Sequence, residues 1–129
     1  MFKFTGRRPS NLGVNNGKLA PVPGKPNCVS SQADANDRVH HIAPLAVSGD
    51  AKAALKKLKA AISALPRTNI VEARPDYLYV EFSTPLMGYV DDVELYAESG
   101  AIQVRSASRL GYSDLGVNRK RVEMLRAAL

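Results

Sequence analysis

Between residues 69 and 108 the chain alternates apolar and polar side chains in four successive runs, each of strand length. In Tyr77–Thr84, Leu78, Val80 and Phe82 share one face, with Tyr77, Tyr79 and Glu81 opposite. The same period recurs in Tyr89–Ala97 (Val93, Leu95, Ala97), in Ile102–Ser108 (Ile102, Val104) and in Asn69–Arg74 (Val71, Ala73). A sheet built this way has one apolar face, which needs a cover. Helical stripes on either side supply it. Asp50 to Leu65 places Ala51, Leu55, Leu58, Ile62 and Leu65 in one stripe, with Ser48 or Asp50 as cap and Pro66 as stop. Asn118 to Leu129 places Val122, Leu125 and Leu129 in another, with Asn118 as its N-cap. The expected fold is α+β: a four-stranded antiparallel meander with one helix before it and one after, packed on one face.

The last two strands can be registered. Burying Leu95 with Val104 and Ala97 with Ile102 puts Glu94 opposite Arg105 and Asp92 diagonal to Arg105 and Arg109, all on the outer face. Asp91 then shares the inner face with Val93 and Leu95, beside Ser108. Pro75 cannot take the positive φ of a primed hairpin turn, so a wider turn is expected there.

Residues 1–47 follow neither period and hold five of the eight prolines. A stretch this long without periodic structure is disordered or functional. Leu12, Leu19, Val22, Val29, Ile42 and Leu45 could pin it to the domain, so an irregular wrap around a core at 48–129 is expected. At 129 residues the chain is read as one domain.

The net charge of +6 is laid out unevenly. Residues 1–67 carry 11 Lys/Arg against 3 Asp/Glu, residues 68–99 carry Arg74 against 7 acids, and residues 100–129 carry 6 against 2. That layout favours internal pairing over a uniform nucleic-acid face. With no Trp and 3 Phe, base stacking would fall to 5 Tyr. No apolar run approaches the roughly 20 residues of a membrane span. Met1-Phe2-Lys3-Phe4 precedes no apolar h-region, so a native Met1 implies a cytoplasmic protein, an inference that lapses if a leader has been trimmed. The single cysteine, Cys28, excludes an intrachain disulfide, and with the adjacent His40 and His41 it makes a poor zinc set, so no metal or cofactor is expected.

Three features could carry chemistry. Cys28 could be a nucleophile with His40 or His41 as base and Asp34 or Asp37 orienting it; the preferred reading is a small residue in a turn, with Asn27, Ser30 and Ser31 making backbone hydrogen bonds. Asp91 could be a general base or a ligand anchor; the preferred reading is a tether for the loop at Gly111–Gly116 through Ser108, Arg109 or Tyr112. Gly116-Val117-Asn118-Arg119 opens a helix, where an anion could bind with Arg109, Tyr112, Arg119 and Arg121 nearby; Asp114 is the internal alternative.

The chain resembles a known group, the bacterial and plastid domain-of-unknown-function family 1499. The likeness runs through Leu12-Gly13, Leu19-Ala20-Pro21, Pro26-Asn27-Cys28-Val29-Ser30-Ser31, Asp91-Asp92-Val93-Glu94, Ile102 to Arg109, Gly111-Tyr112-Ser113-Asp114 and Gly116-Val117-Asn118-Arg119. It covers roughly residues 9–126. The resemblance implies no activity, cofactor or substrate. Many members carry Cys-Pro ahead of Pro-Asn-Cys where this chain has Val22-Pro23, so the family's cysteine pair is not complete here.

The leading expectation is a small non-enzymatic binding or accessory domain. Its polar site would combine the Asn27–Ser31 and Arg109–Asn118 loops, with Asp91, Asp92, Arg105 and Ser108 as polar structure and the Tyr-bearing outer sheet face beside them. A small anionic ligand or a protein is the expected partner, not nucleic acid. The alternatives are a hydrolase or transferase using Cys28, His41 or Asp91, and a binder of anionic surfaces using Arg119, Lys120, Arg121 and the Lys52/Lys56/Lys59 strip.

Overall fold

A computed structural model describes residues 4–129. Met1, on which the compartment expectation rests, lies outside the described residues with Phe2 and Lys3. The elements are β1 (Cys28–Ser30), β2 (Leu45–Ala46), α1 (Ala51–Ser63), β3 (Thr68–Arg74), β4 (Tyr77–Ser83), β5 (Val90–Glu98), β6 (Ala101–Ser108) and α2 (Val117–Ala127). The fold is α+β. The expected meander is present as β3 to β6, but it is part of a larger antiparallel sheet ordered β1-β6-β5-β4-β3, with β2 also paired to β6.

The two added strands come from the segment read as an irregular wrap. Cys28 to Ser30 pair with Ala107 to Arg105, and Leu45 and Ala46 with Ile102 and Ala101. At three and two residues these strands are too short to show a period, which is why alternation did not reveal them. They cover the free edge of β6, which would otherwise offer unpaired backbone groups.

The β5–β6 register is the expected one: Leu95 faces Val104, Ala97 faces Ile102, Glu94 faces Arg105 and Asp91 faces Ser108. The first hairpin differs from expectation. Arg74 pairs directly with Tyr77, so Pro75 and Asp76 make a two-residue turn, and neither has positive φ. A bulge between Ile70 and Glu72 adjusts the strand twist instead. It also splits the expected face of β3. Val71 packs outward with Tyr77 and Tyr79, while Ile70 joins the main core and Ala73 pairs with Leu78.

Both helices lie on one face of the sheet. Ala51, Leu55, Leu58 and Ile62 of α1, and Val122 and Leu125 of α2, pack on Leu78, Val80, Val93, Leu95, Ile102 and Val104. Asp50 caps α1 by accepting from the Lys52 N–H at 2.9 Å. The expected solvent-facing side of the sheet is covered too. Leu19, with Leu12 and Val14, lies on Tyr77 and Tyr79, and both tyrosines are buried. The molecule therefore has three layers: helices, sheet and wrap. No helix among the described residues is long and apolar enough to cross a membrane.

Candidate functional site

Polar residues collect on both sides of β5 and β6, and the sheet separates them. On the wrap side, Arg109 folds back over β5. Its Nε and Nη2 take both oxygens of buried Asp92 at 2.8 Å, and Nη2 reaches Glu81 at 2.5 Å. Such bidentate pairing is the strong form of an arginine–carboxylate contact. Glu81 also holds Arg8 at 2.8 Å, and the Tyr79 hydroxyl donates to Asp92. Glu94 and Arg105 face each other without a direct hydrogen bond. Glu94 Oε2 accepts from the Gly13 N–H at 2.8 Å and the Tyr77 hydroxyl at 2.5 Å, while Arg105 donates to the Pro21 carbonyl at 3.1 Å. Burial pushes the Glu94 carboxyl above its ordinary range despite those donors. Among the described residues, Glu94 Oε1, Arg105 Nε and Asn27 Oδ1 are buried without a hydrogen-bond partner.

On the helix side, Ser106 and Ser108 project from β6 toward α2 and meet Asn118. The Asn118 amide nitrogen donates to Asp114 at 2.7 Å, to Ser108 Oγ at 2.9 Å and to the Asn27 carbonyl at 3.1 Å. Its amide oxygen accepts from Ser106 at 2.6 Å and from Arg121 at 2.9 Å. Asn27 in turn donates to the Gly111 carbonyl at 3.0 Å. The Asn27 and Arg109–Asn118 segments therefore do come together, through Asn118 and their own backbones.

Asp91 is buried in this layer as expected, but its partner is different. Arg121 Nη1 lies 2.8 Å from Asp91 Oδ2, with the guanidinium 4.9 Å from the Phe82 ring centroid. Asp91 thus ties α2 to the sheet, not the Gly111–Gly116 loop, because the α2 face bearing Val122 and Leu125 turns Arg121 inward with it. Tyr112 points to solvent instead.

The expected anion site is dispersed. Arg109 lies across the sheet, Arg121 is held by Asp91, and Arg119 donates to the Val39 carbonyl at 3.2 Å. Asn118 is not the N-cap. α2 begins one residue earlier, after Gly116, which takes a left-handed φ of 82°. Asp114 occupies the helix start, accepting from the N–H groups of Gly116 at 2.8 Å and Asn118 at 3.2 Å. Burial raises its carboxyl, but the hydrogen bonds from the Asn118 side chain and the Gly116 and Asn118 backbones outweigh that and hold it below the usual carboxylate range.

Cys28 is buried, and burial pushes its thiol up to about 11, against a smaller opposing effect of Arg105. Its Sγ has one weak contact, 3.8 Å to the Val29 carbonyl. The His40 ring is engaged by Asp37 at 2.7 Å and the Lys25 carbonyl at 2.9 Å. The His41 backbone donates to Asp37, and no hydrogen bond joins either histidine to Cys28 among the described residues. Ser30 Oγ accepts from Gln32, and Ser31 bridges Gln103 and Val104, so both serve the turn after β1.

A cavity of about 370 Å³ opens against Asp91 and Ser108. Tyr89, Val90, Leu110, Leu115 and Val117 supply its apolar lining, and Thr84, Ser113 and Asp114 further polar groups. Ser108 stands beside Asp91 as the register placed it, and Ser106 could have been anticipated with it, since it shares parity with Ile102 and Val104 and so must face inward. Leu110 and Leu115 of the apolar lining could not: they stand in the loop before α2, where no period applies.

The family model described as "Protein of unknown function (DUF1499)" matches residues 18–129, and the chain belongs to that family. No curated protein and no solved structure matches it.

Proposed function

For this member of a family without an assigned activity, we propose a small-molecule-binding domain, non-enzymatic, whose site is the cavity between β5, β6 and the loop before α2. The observation that carries it is the Asp91–Ser108 pair. The two residues face each other in the β5–β6 register and both line the cavity. Each keeps unused hydrogen-bonding capacity. Asp91 Oδ2 is taken by Arg121, which leaves Oδ1 as an acceptor. Ser108 Oγ accepts from Asn118, which leaves its proton to donate. A ligand group that both donates and accepts, such as a hydroxyl or a primary amide, matches this pair. Tyr89, Leu110, Leu115 and Val117 would hold an apolar body. Two carboxylates at the cavity favour a neutral head over the anionic one expected from sequence. Against the enzymatic alternatives stand the protonated, buried Cys28 and the ion pair that holds Asp91 to Arg121.

A fragment screen by amide NMR tests this reading. Hydroxyl- and amide-bearing fragments should shift Ser108, Leu110 and Val117. Val117→Trp, at a half-exposed position on the cavity wall, should abolish those shifts while preserving the rest of the spectrum. Fragments that bind elsewhere, or that bind Val117→Trp equally well, would refute it.

A further inference from the structure

Most of the large exposed apolar side chains among the described residues stand in two neighbouring loops. Leu86 and Met87 stand in the β4–β5 loop, and Leu110, Tyr112 and Leu115 in the loop before α2. These loops are neighbours: Tyr89 and Leu115 line one cavity, whose Thr84 and Val117 also line a groove with Pro85, Arg67 and Lys120. Leu86 and Leu115 are the most exposed of the set, at 74% and 87%. Both also sit in left-handed backbone, with φ of 65° and 54°. A leucine is strained there, and asparagine or glycine would relieve the strain. The same two residues therefore lose on backbone and on solvation, and the folded chain alone gives neither loss a return.

The surrounding charge says what would. Arg67 and Lys120 are exposed beside these loops and have no ion-pair partner among the described residues. The carboxylates at this end are committed, Asp91 to Arg121 and Asp114 to the start of α2. Leucines and tyrosines on loop tips, backed by free cations, are the side chains that partition into the interface of an anionic bilayer. Their placement on separate projecting tips suits insertion between headgroups better than a flat protein contact, whose anchors fill matching pockets.

We propose that this end of the domain docks on an anionic membrane surface, with Leu86, Tyr112 and Leu115 entering the interface and Arg67 and Lys120 meeting lipid phosphates. This surface meets the proposed cavity at Leu115; Leu86, Tyr112, Arg67 and Lys120 lie outside the cavity lining. Sedimentation with phosphatidylcholine vesicles, with and without phosphatidylglycerol, tests it on the full chain. Binding should require phosphatidylglycerol and weaken as salt screens the cations. The double variant Leu86→Asn/Leu115→Asn should lose about tenfold or more in vesicle affinity while melting at or above the parent temperature, since asparagine relieves the left-handed strain. Arg67→Glu/Lys120→Glu should lose binding to the same vesicles with the fold intact. The proposal is overturned if the parent does not bind the anionic vesicles, or if the asparagine variant binds them like the parent. Concentration-dependent dimerisation of the parent, abolished by the same leucine changes, would give the patch to a second copy instead and overturn it equally.

Discussion

Arg109 and Arg119 show how little a residue's identity says until its neighbours are placed. Both are arginines beside the same loop, and both belonged to the expected anion site. Arg109 is nearly buried and holds Asp92 with two hydrogen bonds and Glu81 with a third. Removing it would leave Asp92, which is only 1% exposed, without a cation and with the Tyr79 hydroxyl as its remaining hydrogen-bond partner. Arg109→Met should therefore destabilise the fold by about 3–5 kcal/mol, read from denaturant unfolding. Arg119 has one bond to a backbone carbonyl at a half-exposed site, and Arg119→Ala should change stability by no more than about 0.5 kcal/mol. Equal losses in the two variants would show that the Asp92 cluster is not the anchor its geometry describes. The contrast was partly readable in advance. The strand register put Asp92 and Arg109 on one face; it could not show that the wrap side would be covered, which is what makes the pair so consequential.

At the level of elements, what repeats was legible and what occurs once was not. The four long strands and both helices are where alternation and helical stripes put them, to within a residue or two. β1, β2 and the two-residue Pro75-Asp76 turn were missed, because strands of two or three residues have no period and a turn without positive φ lies outside the primed types that Pro75 rules out. The start of α2 failed differently. Asn118 is a good cap by type, but the helix starts before it, Asp114 accepts from the Gly116 and Asn118 N–H groups from the loop, and the Asn118 side chain joins Ser106, Ser108 and Asn27. Asp114→Ala should cost about 1–2 kcal/mol through the lost cap. The sign of its pH dependence follows from its lowered pKa. Its contribution is fully present above the ordinary carboxylate range and is lost as pH falls through its depressed value, so the variant should lose less stability on acidification than the parent. A variant that matches the parent at neutral pH would leave Gly116 alone as the determinant of the helix start.

The three-layer arrangement gives the whole molecule two opposed pH dependences. Glu81 is pushed up by burial, but hydrogen bonds from Asn69, Arg8 and Arg109 bring it below its usual range, so with Asp114 it stabilises the fold above the carboxylate range and releases that stability as pH falls. Glu94, raised by burial beneath the wrap, runs the other way: the folded state takes its proton more readily, and its contribution is lost as pH rises through its raised value. His40 governs the neutral side. Burial lowers it, yet the Lys25 carbonyl and the Asp37 carboxylate outweigh burial and raise it above the ordinary histidine value. The stability that His40 contributes is therefore complete below that ordinary value and is lost as pH rises through the raised one. His40 lies in the segment between β1 and β2, and its ring links Asp37 to Lys25 just before β1. Its titration therefore reports on the wrap as a layer. Unfolding free energy should fall from about pH 6.5 upward, with a slope below the roughly 1.4 kcal/mol per pH unit that one full proton would give. His40→Gln should flatten that limb and leave the part of the acid limb set by Glu81 and Asp114, while reducing the part set by Asp37, whose carboxyl is held below its usual range first of all by the His40 side chain. An alkaline limb that survives the substitution would place the titrating group elsewhere and separate the wrap's stability from the Asp37–His40–Lys25 link.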